Sequence, residues 1–95
     1  MSRELEQAVI KAERARQLLE DPMLVGALKS MRETVYKNIE TSNWKAKGER
    51  EELYRMLTSI AAFEKQFKRI VADGKAAKSK LDELRQKLKS VTNWR

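Results

Sequence analysis

The stretch that decides the fold runs from Glu49 to Val91: EREELYRMLTSIAAFEKQFKRIVADGKAAKSKLDELRQKLKSV. Within it Leu53, Met56, Ile60, Phe63, Phe67, Ile70, Gly74, Ala77, Leu81, Leu84, Leu88 and Val91 follow one another at alternating spacings of three and four. Ten of these twelve positions are large and apolar, and the other two are Gly and Ala. A 3.5-residue period held this long predicts one helix with a supercoiled seam, not an ordinary amphipathic surface. At about 1.5 Å per residue the helix would be roughly 65 Å long. Its outer faces carry acid–base pairs four apart, Glu51–Arg55, Glu64–Lys68 and Glu83–Lys87, each adding a few tenths of a kcal/mol of helix support. Gly74 interrupts good helix formers at a cost of about 1 kcal/mol. On the seam, it is read as the close approach of another backbone or a mild kink. The alternative is a full break that frees a separate C-terminal helix.

Working outward, Asp21-Pro22 is an N-cap followed by proline at the first helical position, where the missing N–H costs nothing. Proline also pushes the preceding residue out of the helical region. A first helix therefore spans about 3–20 and a second about 22–40. Thr41-Ser42-Asn43 competes for backbone hydrogen bonds and ends the second helix, leaving 41–48 as a loop. Glu49, Glu51 and Glu52 then suit a helix N-terminus. The first helix has its own seam of Leu5, Ala8, Ala12, Ala15 and Leu19, small at its centre. The second offers Leu24, Leu28, Met31, Val35 and Ile39, widened by Val25, Ala27 and Tyr36.

These stripes predict an all-α fold in a single helical domain, 1–95. The long helix (about 49–91) packs antiparallel on the two shorter ones, giving an elongated hairpin with one arm broken at Pro22. Small residues in the first helix would face Leu81, Leu84 and Leu88, an alternation that lets helices approach closely. A thin hairpin buries little core by itself. Leu57, Val71, Met23, Tyr54 and Phe63 would keep apolar surface exposed, so the expectation is a homo-oligomer. The alternative is a compact three-helix monomer.

Composition excludes several functions. The chain has 95 residues and neither His nor Cys. That removes disulfides, ordinary zinc or iron–sulfur sites, and Ser–His or Cys–His catalysis. There is no phosphate-binding glycine motif, and the carboxylates are explained by caps and surface pairs. No enzyme activity, metal or cofactor is expected. The N-terminus lacks an apolar signal core and no apolar run approaches the roughly 20 residues of a membrane span, so a soluble intracellular chain is expected.

The net charge of +7 is local. Residues 1–21 hold four basic and five acidic side chains, 22–74 hold ten and seven, and 75–95 hold seven and two. Two clusters stand out as candidate nucleic-acid contacts. Lys45, Lys47, Arg50 and Arg55 surround the loop with Trp44 among them, and Lys75, Lys78 and Lys80 open the C-terminal segment. Clustered cations are the electrostatic footprint of phosphate binding, and an exposed Trp can stack on a base. Equally, a lysine-rich face can be plain solvated surface, and Trp44 can cap the hairpin end. Trp94, beyond the last seam residue, reads either as a dock for a neighbour or as a frayed tail.

Three segments carry a resemblance: Leu18-Leu19-Glu20-Asp21-Pro22 with Ala27, then Gly48-Glu49-Arg50-Glu51-Glu52-Leu53, then Ile70-Val71-Ala72-Asp73-Gly74-Lys75-Ala76-Ala77. Over roughly residues 10–80 the chain resembles a family of short tailed-bacteriophage proteins encoded near head-assembly and DNA-packaging genes. That resemblance implies a small-terminase-like role: a non-catalytic oligomer that binds double-stranded DNA and works with the large terminase or other head proteins. It implies a place in the host cytoplasm or the virion. The chain departs from small terminases in lacking an N-terminal helix-turn-helix, the usual reader of base sequence. The competing expectations are a scaffold or minor virion protein that binds protein, and a helical inhibitor of a host protein.

Overall fold

Asp21-Pro22 separates two helices as its chemistry requires. In a computed structural model of the chain, which describes residues 2–42 and 47–92, α1 spans Ser2–Glu20, α2 spans Pro22–Thr41 and α3 spans Lys47–Thr92. Asp21 is extended (φ −66°, ψ 121°), and its carboxylate accepts from the backbone N–H of Met23 at 2.8 Å and of Leu24 at 3.3 Å. Its own N–H donates to the Leu18 carbonyl at 3.2 Å, closing α1. At the far end of α2, Ser42 is extended and donates through its N–H and its hydroxyl to the Ile39 carbonyl, at 3.3 and 2.8 Å. The polar cluster thus ends α2 where the sequence indicates, one residue later than position 40. The connection is shorter than the expected 41–48 loop, because Lys47 and Gly48 belong to the first turn of α3. A Cβ on Gly48 would meet nothing within 4 Å, so no packing demand opposes the helix there. Among the described residues there is no strand.

The chain divides into two compact units. The central unit, Leu18–Gln66, holds α2 and the first part of α3. Its core is Leu28 and Val35 from α2 with Leu53 and Ile60 from α3, flanked by Leu24, Ile39 and Leu57. The helices run antiparallel. Arg50 near the start of α3 donates through Nε to Ser42 Oγ at the end of α2 (3.1 Å), while Leu24 and Phe63 share the opposite end. Arg32 forms a part-buried ion pair with Glu64 across the helices. Glu64 is therefore taken by α2 and not by the expected Lys68. Glu83 likewise pairs with Lys80 at 3.6 Å, not with Lys87, while Arg55 does reach Glu51 at 3.9 Å.

The terminal unit, Met1–Gln17 with Phe67–Arg95, packs α1 on the later part of α3. Ala12, Ala15, Ala77 and Leu81 are buried in it, and so is Gly74. A Cβ built on Gly74 would collide with the Ala12 Cβ and lie 3.1 Å from the Ala8 carbonyl oxygen. Glycine is there because a neighbouring helix comes too close for any side chain. The alternative, a full break, is absent: α3 continues through Gly74 as helix.

The seam is narrower than its spacing suggests. Leu53, Ile60, Ala77 and Leu81 are buried, and Phe67, Ile70 and Leu84 are half-buried. Met56, Phe63, Leu88 and Val91 stay exposed. In the central unit the cause is local. The contact with α2 is centred on Leu53, Leu57 and Ile60, which rotates Met56 and Phe63 to its flank. Met31, Val25 and Tyr36 flank the buried line of α2 in the same way.

Candidate nucleic-acid interface

The formal charge divides unevenly between the units. Segments 1–17 and 67–95 together contain thirteen Lys and Arg against six Asp and Glu, whereas 18–66 contains eight against eight. The terminal unit therefore carries the whole +7 and the central unit carries none.

Within the terminal unit the cations are ordered around α3. Positions 67, 70, 74, 77, 81, 84 and 88 are the apolar seam. The next residue after each is Lys68, Val71, Lys75, Lys78, Asp82, Arg85 and Lys89. This second stripe keeps the three–four spacing, so it lies on one face adjoining the seam. All five of its cations are exposed. From Lys68 to Lys89 the stripe extends about 30 Å along the helix. The acid in it, Asp82, lies 3.9 Å from Arg85. Lys75 and Lys78, three apart, repel each other by a few tenths of a kcal/mol, and among the described residues neither has a carboxylate within salt-bridge distance. A polyanion laid along this face would relieve that repulsion. Duplex DNA presents one charge per roughly 1.7 Å of axis, which exposed lysines meet without any base-specific geometry.

The expected contact residues that lie among the described ones fall in definite places. Lys75 and Lys78 share the stripe. Lys80 sits on another side of the helix, with Glu83 at 3.6 Å. Sequence reading missed Lys68, Arg85 and Lys89 as members of the same face. The signal was present as a second heptad line one residue behind the seam. The loop cluster is weaker. Arg50 is half-buried and tied to Ser42, and Arg55 is exposed but faces Glu52 at 3.0 Å and Glu51 at 3.9 Å. Lys47 is exposed in the first turn of α3. Lys45 and Trp44 lie outside the described residues, as do Trp94 and Arg95.

Among the described residues no group of three or more acidic side chains is placed to hold a metal ion, and no helix is long and apolar enough to cross a membrane. Glu13 has its carboxyl held below its usual value mainly by the hydrogen bond from Arg16, with Nε at 3.2 Å. It lies on the exposed surface of α1 and marks no reactive site. No family model matches the chain, and no curated protein or solved structure matches it either.

Proposed function

We propose that this protein is a non-catalytic, self-associating helical adaptor that grips double-stranded DNA by its phosphates. The setting we propose is phage DNA packaging or head assembly, beside the large terminase or other head proteins, in the host cytoplasm or the virion. The setting rests on the three segments that resemble short phage proteins. The DNA contact rests on one observation: the entire net charge lies on the terminal unit, where five exposed cations share a single face of α3. Lys68, Lys75, Lys78, Arg85 and Lys89 would bind phosphates, with Lys47 and Lys45 as further contacts.

The test is a salt titration of duplex DNA binding. Affinity should fall steeply as salt rises, with a log–log slope of about −0.9 per phosphate engaged. It should vary little with base sequence. Lys75→Glu/Lys78→Glu should weaken binding and lower the slope by about 2. No binding at ~50 mM salt, where such contacts are strongest, would end this reading.

A second reading is supported by a different observation. Met31, Met56 and Phe63 are each about half exposed on the central unit (52%, 47% and 47%), as expected of a scaffold or minor virion protein whose partner is protein. Recovery with capsids in the absence of DNA affinity would favour it.

A further inference from the structure

The central unit has an open groove along one side of its helix pair. The groove has two overlapping stretches that share Met31, Ser59 and Ile60. One stretch adds Ala27 and Phe63, the other Thr34 and Met56. In a chain that is 37% charged, the charged residues lining it are one acid and one base, Glu52 and Arg55, both at the same end. Loss of charge with retention of Met and aromatic residues is the composition of an interface core, not of a solvated face.

The antiparallel register arranges the lining in layers. Counting along the two antiparallel helices pairs Phe63 with Ala27, Met31 with Ser59, and Met56 with Thr34, and each pair lines the same stretch of the groove. Each layer holds one large and one small residue, and the large one changes helix from layer to layer: α3, then α2, then α3. Consider a two-fold rotation about an axis parallel to the helices. It sets α2 of one copy across from α3 of the other at the same height. Phe63 then meets the partner's Ala27, Met31 meets the partner's Ser59, and Met56 meets the partner's Thr34. Every contact occurs twice, as an isologous interface requires, and large faces small throughout.

Area and charge agree with this. About half of each large side chain is exposed, roughly 100 Å² apiece. With the groove walls, two copies would bury on the order of 1,000 Å², the lower limit for a specific interface. Residues 18–66 carry equal numbers of acids and bases, so two copies can meet here without net repulsion, while the +7 of each chain lies on other residues.

We infer that a second copy of this chain closes the groove, forming a two-fold core of four helices from the two central units. This deepens the self-association proposed above and is independent of the DNA contact.

The experiment uses the full chain without DNA. Sedimentation across the micromolar range should show a concentration-dependent dimer. Met56→Lys should be monomeric with an unchanged helical circular-dichroism signal, and Met56→Leu should remain dimeric. The chain has no cysteine, so single-cysteine variants report proximity cleanly. Under mild oxidation, equimolar Met31→Cys and Ser59→Cys chains should yield a covalent dimer. Ser59→Cys mixed with Tyr54→Cys, which lies on α3 outside the groove, should not. The crosslink decides the matter should Met56→Lys lose its helix signal. A monomer throughout the range overturns both this inference and the proposed self-association. A dimer that survives Met56→Lys, or that crosslinks as readily through Tyr54→Cys, overturns the groove alone.

Discussion

The two units solve the same problem, packing one helix on α3, by opposite means. In the terminal unit the contact is made of Ala12, Ala15, Gly74 and Ala77, with Leu81 as the large buried residue. In the central unit it is made of Leu28, Val35, Leu53 and Ile60. Small residues let the backbones approach, so stability there depends on the absence of atoms at one point. Branched residues keep the helices apart and fill the space, so stability there depends on atoms being present. The charge follows the same division. The unit with the smaller apolar core has the cationic stripe, and the unit with the larger core is neutral and retains exposed apolar surface.

Opposite substitutions should therefore damage the two units. The largest effect is expected from Gly74→Leu, which drives a side chain into Ala12 and the Ala8 carbonyl. Overpacking of this kind costs about 1–3 kcal/mol and more when backbone must move. Gly74→Ala should also destabilise, although Ala is the better helix former, and Ala12→Gly in the same chain should recover part of the loss in thermal unfolding. If Gly74→Ala proves stabilising, the close approach is wrong.

Next comes Ile60→Ala, which removes volume from the central core and should cost about 2–4 kcal/mol in denaturant unfolding. The same truncation in the terminal unit, Leu84→Ala, should cost clearly less, because Leu84 is only half-buried. Equal losses would erase the contrast between the units. Lys75→Glu/Lys78→Glu sharpens it from the other side. The pair should lose about 10- to 100-fold in DNA affinity at low salt, while the melting temperature holds or rises slightly as like-charge repulsion is removed.

Asp21→Ala should cost about 1 kcal/mol, through loss of the cap on Met23 and Leu24. The smallest effect concerns acid. Glu13 has a depressed carboxyl pKa in the fold, so the Arg16 contact adds stability above the carboxyl's unfolded pKa and loses it as pH falls through the folded one. Glu13→Gln should slightly lower stability at neutral pH, flatten the acid limb of an unfolding-versus-pH curve and leave its most acidic end unchanged.

Much of the architecture was legible because it rests on local chemistry. Asp21-Pro22 sets a helix boundary by capping and by the fixed φ of proline, and Ser42 sets another through a side-chain bond to Ile39. Gly74 on an apolar line pointed to a close neighbour for want of any other reason to tolerate glycine. What sequence reading missed depends on which line along α3 meets which helix. A strict 3.5 repeat suggests that Met56 is buried and Leu57 exposed, yet contact through Leu53, Leu57 and Ile60 turns Met56 outward and packs Leu57 on the core. Glu64 has Lys68 four residues away and still pairs with Arg32, because a part-buried partner across the interface holds a charge better than an exposed neighbour. The cationic face was hidden by counting charge along the chain when its order runs around the helix.

The order of segments in the chain has a consequence for folding. The central unit is one continuous stretch, 18–66, while the terminal unit joins 1–17 to 67–95. Leu28 and Ile60 are separated by 32 residues, Ala12 and Gly74 by 62. The shorter closure loses less chain entropy, and all of its residues are synthesised before residue 67. Its part of α3 then supplies a formed helical end, and adding residues to an existing helix avoids the cost of nucleation. The expected sequence is a neutral hairpin first and a basic one built onto its helix afterwards. Pulse-labelled hydrogen exchange would read it as protection at 53–60 ahead of 74–81, and simultaneous protection would refute it.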